Sequence, residues 1–357
     1  MNDPSLNFLP DLTLKLPDVL QLHSGLVVRD TLQWRVRRLE IEEIFEQIVY
    51  GPLPPEPAVT TCTELHTSIA KNLANARFST YRVEVDERHA FLLRVFAPDG
   101  PGPYPVILNG DGCWHYANDP VIEAILARGY VFAQFNRVEL AADTRTISAT
   151  SQPFGAFASW AWGYHRAVDA LLQLAFINHD CIAVVGHSRG GKAALLAGAK
   201  DERIALTSAN NSGAGGAGSF LYLGTGSETL ADIVGEFPHW FNPKLNAFVN
   251  REHELAFDQH FLKALVAPRA LLTTEALDDL WANPTGTFRT HLAAKEVYTL
   301  LNAPERIAIS YRVGGHDHSF ADWCVLLDFA DAVFRGADFS LPPIPAPILR
   351  PPAGFAR

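Results

Sequence analysis

Residues 184 to 198 read VVGHSRGGKAALLAG, and the reading of this stretch decides the fold. An apolar run climbs to Gly186, a serine follows at 188, and small residues continue beyond it at a spacing that suits a buried helix. Gly186-His187-Ser188-Arg189-Gly190 fits the pattern G-x-S-x-G. In that setting the serine occupies a strained turn between strand and helix, where side chains on its neighbours would clash. The first turn of the helix carries backbone N–H groups without intrahelical partners, which can hold a developing negative oxygen. Ser188 is therefore the candidate nucleophile. Arg189 and Lys192 stand out, since a helix that otherwise looks buried carries two cations on its opening turn.

Outward from this stretch the chain alternates short apolar strands with helices. YRVEVDE and HAFLLRVFAPDG read as two alternating strands, PYPVILNGDG as a buried strand ending in a glycine loop, and VIEAILARGY as a helix. VFAQFNR, CIAVVG, IALTSANN, RALLTTEAL and RIAISYRV are further strands, and WAWGYHRAVDALLQL and RGGKAALLAGAK further helices. This order predicts an α/β fold: a doubly wound, mostly parallel sheet with helices on both faces. GPLPPEP (51–57) breaks the chain after the helical stretch RVRRLEIEEIFEQIVYG. Residues 1–57 are read as an N-terminal extension packed on the main domain, 58–340 as the catalytic domain, and 341–357 as a proline-rich tail that cannot continue a helix.

The bulk properties narrow the partners. Of 357 residues 48% are hydrophobic and 19% charged, which suits an ordinary globular protein. A net charge of −10 argues against nucleic acid, whose partners carry basic patches. The opening MNDPSLNFLPDLTLKLPDVL is interrupted by prolines and acids, so neither an export signal nor a membrane span is expected. A cytoplasmic location is the default expectation, with secretion by another route left open. The four cysteines are far apart and form no C-x-x-C pair, and Cys181 in CIAVVG reads as a reduced, buried thiol.

A serine nucleophile needs a base and an acid that orients it, and in this fold they follow in the order Ser, Asp or Glu, His. Asp278 and Asp279 follow the strand RALLTTEA, and His316 and His318 follow RIAISYRV, each at the strand end where such sheets gather their sites. The order is met by Ser188, Asp279 and His316, with Asp278 and His318 as the alternatives. H-D-H could offer two metal ligands, but no third has a recognisable zinc spacing, so no metal and no cofactor is expected. Asn109-Gly110-Asp111-Gly112 is the expected source of a second backbone N–H for the oxyanion.

With these residues in hand, the chain resembles the glucuronoyl esterases, the family-15 carbohydrate esterases of the α/β-hydrolase superfamily, in their bacterial form. The segments that carry the resemblance include VVGHSRGGKAALLAGAKDERIALTSANNSGAGGAG, ETLADIVGEFPHWFNP, LVAPRALLTTEALDDLWANPTG and VGGHDHSF, within roughly residues 80 to 335. The resemblance implies a metal-independent serine esterase that cleaves esters joining 4-O-methylglucuronic acid to lignin alcohols. It implies that Arg189 helps hold the oxyanion and that Lys192, Glu236 and Trp281 bind the sugar. Glu228 stands where fungal members carry a sugar-binding glutamine. Fungal members take the catalytic acid from a glutamate where this chain has Asn211, which cannot ionise; the acid then falls to the DDLW loop.

The expected partner is a carbohydrate or small-molecule ester, with no nucleic acid and no membrane. An esterase of the same fold acting on acetyl or other small esters is the nearest alternative. A catalytically silent carbohydrate-binding relative is the alternative of another class, and the complete Ser, Asp and His set speaks against it.

Overall fold

Short apolar strands separated by helices can bury both faces only by lying side by side beneath helical layers. The structure of this chain is a computed structural model that describes residues 16–145 and 155–349. The opening residues, on which the absence of an export signal was read, lie largely outside this range, as does the end of the proline-rich tail.

The described residues form a nine-stranded sheet. β1 (Thr61–Ala70), β2 (Ala76–Glu84) and β3 (Ala90–Ala97) form an antiparallel meander, and β3 pairs antiparallel with β5 (Val131–Gln134). From there the sheet is parallel: β5, β4 (Tyr104–Asn109), β6 (Ile177–His187), β7 (Leu206–Asn210), β8 (Ala270–Ala276) and β9 (Ile307–Arg312). β4 lies between β5 and β6, so the winding direction reverses there and opens a crevice at the strand ends beside β6. The period of two is visible within β6. Val184 joins the core cluster shared with α3 (Ala156–Leu171), α4 (Arg189–Lys200) and α6 (Gln259–Val266), while Val185 joins the cluster shared with α2 (Asp119–Ala127) and α8 (Phe320–Arg335). This is the α/β-hydrolase fold expected from the sequence.

α1 (Thr31–Ile44) packs with the first of these layers: Trp34 and Ile41, with Phe45 and Val49 just beyond the helix, belong to its core. Arg38 donates from Nη1 to the Leu265 carbonyl at 2.5 Å and from Nη2 to the Ala199 carbonyl at 2.9 Å. One guanidinium thus satisfies carbonyls at the C-terminal ends of α6 and α4 that have no helical partner.

Several elements depart from the sequence reading. β1 was not anticipated, because TCTELHTSIA shows no apolar alternation and is solvent-exposed along most of its length. The proline-rich tail does hold one helical turn, α9 (Ala346–Leu349), since a proline is compatible with the first turn of a helix. Cys181 is half-buried rather than buried, because it lies on the part of β6 that precedes the covered stretch. α5 (Leu230–Glu236) lies between β7 and β8 in the chain, and α7 (Pro284–Leu300) between β8 and β9. Among the described residues no helix is long and apolar enough to cross a membrane.

Candidate active site

β6 ends at His187, α4 begins at Arg189, and Ser188 makes the turn alone with φ 55° and ψ −122°. Its N–H donates to the Asn210 carbonyl at 2.8 Å, and its carbonyl accepts from Lys192 N at 3.1 Å. The flanking glycines are sterically required. A Cβ on Gly186 would run into the Gly190 carbonyl, and one on Gly190 into the Asp111 carboxylate. The turn therefore lifts the Ser188 side chain clear of both elements.

Two more strand ends bring partners to that side chain. His316, on the loop after β9, places Nε2 2.9 Å from Ser188 Oγ, and Asp279, on the loop after β8, places Oδ2 2.5 Å from His316 Nδ1. Asp279 is buried. Its carboxylate can only accept, so the imidazole keeps its proton on Nδ1 and leaves Nε2 bare to take the serine proton. Asp278 turns elsewhere: its carboxylate accepts from Gly314 N at 3.0 Å, and its own N–H donates to the Gly314 carbonyl at 3.1 Å. It ties the Asp279 loop to the His316 loop. His318 faces away from Ser188, stacked on Trp323 with ring centroids 4.4 Å apart, and burial holds its pKa well below the usual histidine value. The H-D-H pair is thus divided between site and core. Among the described residues no three His, Cys, Asp or Glu side chains are grouped as metal ligands.

His187 packs against the His316 ring at 4.7 Å and presents Nδ1 to Asn210 Oδ1 at 2.5 Å. Burial pushes its pKa down to about 4, so it stands as a neutral imidazole beside His316.

The loop after β4 does not play the part expected of it. Gly110 N donates to Tyr164 Oη at 2.9 Å, Asp111 N to Asn109 Oδ1 at 2.9 Å and Gly112 N to the Phe135 carbonyl at 3.0 Å. Those N–H groups are all committed, so none is left for an oxyanion. The loop acts as a brace instead: the buried Asp111 carboxylate accepts from His187 N at 2.8 Å and forms an ion pair with the buried Arg137. Arg189 offers donors near Ser188: its backbone N–H opens α4 and its guanidinium lines the same pocket.

That guanidinium is held from several sides. Its Nη1 donates to Asp143 Oδ2 at 2.7 Å, and its carbon lies 5.0 Å from the Trp240 ring centre and 5.3 Å from that of Phe237. Asp143 also accepts from His239 Nε2 at 2.9 Å and Trp240 Nε1 at 2.8 Å. Burial pushes its carboxyl upward, but the three donors outweigh this and hold it below the usual carboxylate range. Asp143, His239 and Trp240 were not singled out by sequence reasoning, although the last two lie in the segment EFPHWF.

A pocket of about 160 Å³ opens beside Ser188, with Lys192, Glu228 and Trp281 in its wall. Such a volume admits a small acyl unit rather than a drug-sized ligand. Lys192 is buried; its Nζ donates to the Ser212 and Ala214 carbonyls at 2.6 Å each and lies 3.7 Å from Glu228 Oε2. Burial lowers the lysine pKa and raises that of the glutamate, each tempered by the other's charge. Glu236 is not brought to this pocket. It ends α5 with its side chain 63% exposed and paired to Arg145 at 2.6 Å. The carboxylate in the wall is Glu228, eight positions earlier. Asn211 also lines the pocket and takes no ionisable part; its Oδ1 accepts from Ala276 N at 2.8 Å, fixing the end of β8.

Residues 81–302 match a family model described as glucuronyl esterase of fungi. The chain belongs to the glucuronoyl esterase family. A 4-O-methyl-glucuronoyl methylesterase of Podospora anserina is 32% identical over 324 residues, covering 85% of this chain and 64% of its relative's own length. The chain therefore spans a little under two thirds of that relative. Among solved glucuronoyl esterase structures, the enzyme from Solibacter usitatus superposes with a TM-score of 0.80 at 27% identity, covering 92% of this chain and 100% of that one. A family-15 esterase from a marine bacterial metagenome, described as promiscuous, gives a TM-score of 0.81 at 29% identity over 91% and 98% of the two chains.

Proposed function

We propose that this chain hydrolyses esters of glucuronic acid or its 4-O-methyl ether through an acyl-enzyme on Ser188. The observation that carries the reading is the continuous hydrogen-bonded line from Asp279 through His316 to Ser188 Oγ, with steps of 2.5 and 2.9 Å. His316 Nε2 takes the proton as Oγ attacks the ester carbonyl, and Asp279 stabilises the imidazolium that forms. The negative oxygen of the tetrahedral intermediate is received by the Arg189 N–H and guanidinium, which interact more strongly with it than with the neutral carbonyl. The imidazolium then protonates the departing alcohol, and water reverses the sequence to release the acid.

The uronate side of the reading rests on Lys192 and Glu228. Their charged atoms are 3.7 Å apart, too far for a direct hydrogen bond. A sugar hydroxyl between them can accept from Nζ and donate to the carboxylate. Trp281, 53% exposed at the mouth, offers a flat apolar surface for the sugar's C–H face. The Podospora relative's name, a 4-O-methyl-glucuronoyl methylesterase, supports the same acyl group.

The test is steady-state hydrolysis of methyl and benzyl glucuronate and of p-nitrophenyl acetate by the purified protein and its Ser188→Ala variant. A preference for the uronate esters that disappears in Ser188→Ala is the expected result. Turnover of the acetate alone would leave a serine esterase of another specificity, and turnover surviving in Ser188→Ala would remove the nucleophile.

A further inference from the structure

We infer that Asp143 is a positioning residue for the reaction: it aims the Arg189 guanidinium at the oxyanion by holding one arm of its fork. The inference rests on the esterase reading above and concerns a residue outside the Ser188, His316 and Asp279 line.

A long side chain that is one-third exposed has many rotamers, and a donor that wanders contributes little to a transition state. Arg189 is fixed by two kinds of contact. The rings of Trp240 and Phe237 restrict the plane of the guanidinium, and Asp143 Oδ2 sets its rotation within that plane through Nη1 at 2.7 Å. Only one of the five N–H donors is used by this bond, so the others stay available to the pocket that Arg189 and Ser188 both line. Asp143 in turn cannot follow the arginine, because Oδ1 is fixed by both His239 Nε2 and Trp240 Nε1. The anchor is thus rigid on one side and charge-bearing on the other. Its two oxygens carry separate tasks, and this division makes the inference testable.

Asp143→Asn keeps the size of the side chain and can keep the oxygen that accepts from His239 and Trp240, but it turns an amide toward Nη1, donor against donor. Asp143→Ala removes both. Each is measured for kcat and KM on methyl glucuronate beside wild type, Ser188→Ala, Arg189→Ala and the double variant Asp143→Ala/Arg189→Ala, with thermal melts as a check of folding. Removal of an oxyanion donor costs about 10²- to 10³-fold in kcat, and loss of its aim is expected to cost about tenfold to 10²-fold with KM within threefold. The double variant is expected to be no slower than Arg189→Ala alone, since an anchor has no effect without its arginine.

A wild-type protein inactive on the ester, or an active Ser188→Ala, would overturn the esterase reading itself. With that reading intact, Asp143 is overturned as a positioning residue by kcat values within twofold of wild type in both variants, by a loss carried in KM, or by losses that multiply in the double variant. Failure of both variants to fold would overturn it too, assigning Asp143 to the structural core.

Discussion

Asp278 and Asp279 are adjacent on one loop, yet only Asp279 reaches an imidazole, while Asp278 receives the Gly314 N–H. The chemistry expected of each differs accordingly. Asp279→Asn leaves the shape but lets the amide favour the wrong histidine tautomer, and kcat is expected to fall about 10³- to 10⁴-fold. Asp278→Ala removes one loop hydrogen bond worth about 1 kcal/mol, for a loss of tenfold or less. Comparison of the two kcat values on a single ester checks the assignment. Glu228→Gln probes the other end of the pocket. It keeps the volume and removes a charged acceptor, so kcat/KM for methyl glucuronate is expected to drop about tenfold or more while p-nitrophenyl acetate is little affected. Equal losses on both would make Glu228 a structural partner of Lys192 rather than a sugar contact.

At the scale of elements, the β6–α4 turn is rigid because the loop after β4 grips it. Gly190→Ala would force a methyl into the Asp111 carboxylate, which cannot yield while it holds Arg137 and His187 N. The expected cost is about 1–3 kcal/mol, read as a lowered melting temperature, together with reduced kcat as Ser188 shifts. This turn was legible in the sequence because its residues are contiguous and strand, glycines and helix agree. The loops that carry Asp279 and His316 were legible for a similar reason: each follows an apolar strand, and the chain order suits the fold. Asp279 and His316 were preferred over Asp278 and His318 from the sequence, and the side-chain directions bring that pair to Ser188. The Arg189 anchor was illegible, since Asp143 lies 46 residues from Arg189 and about a hundred from Trp240 and nothing local marks it. Glu228 and Glu236 sit in one segment, and only the position of α5 decides which faces the pocket. β1 escaped notice because an exposed edge strand has no buried face to impose a pattern.

At the scale of the whole molecule, buried imidazoles among the described residues contribute to the response to acid. His165, His187, His260, His291 and His318 are all buried, and burial lowers each of their pKa values from 6.5. A histidine with a depressed folded pKa contributes stability that is present above the unfolded value and lost as pH falls. Each such group removes about 1.4 kcal/mol per pH unit below 6.5 until its own folded pKa is reached. Glu275 runs the other way. Burial pushes it up to about 8, so its contribution is full below 4.5 and is lost as pH rises toward 8. Unfolding free energies measured from pH 4 to 8 separate the two. The advantage of wild type over His318→Phe should shrink as pH falls below 6.5, and its advantage over Glu275→Gln should shrink as pH rises through the window from 4.5 to 8.

The φ of 55° at Ser188 has a consequence for how such a chain drifts when turnover no longer matters. A backbone of this kind suits only glycine without strain, and strain of this sort costs about 1–3 kcal/mol. Ser188→Ala and Ser188→Gly are both expected to be inactive, but the glycine protein should melt higher, by the strain relieved less the extra freedom of its unfolded chain. Equal melting temperatures would mean that the turn holds no strain. The position proposed to carry the chemistry is also one where stability would rise if the side chain were lost. A lineage released from the need to cleave esters would therefore gain by mutating Ser188 first, leaving the sheet, the brace and the pocket intact behind it.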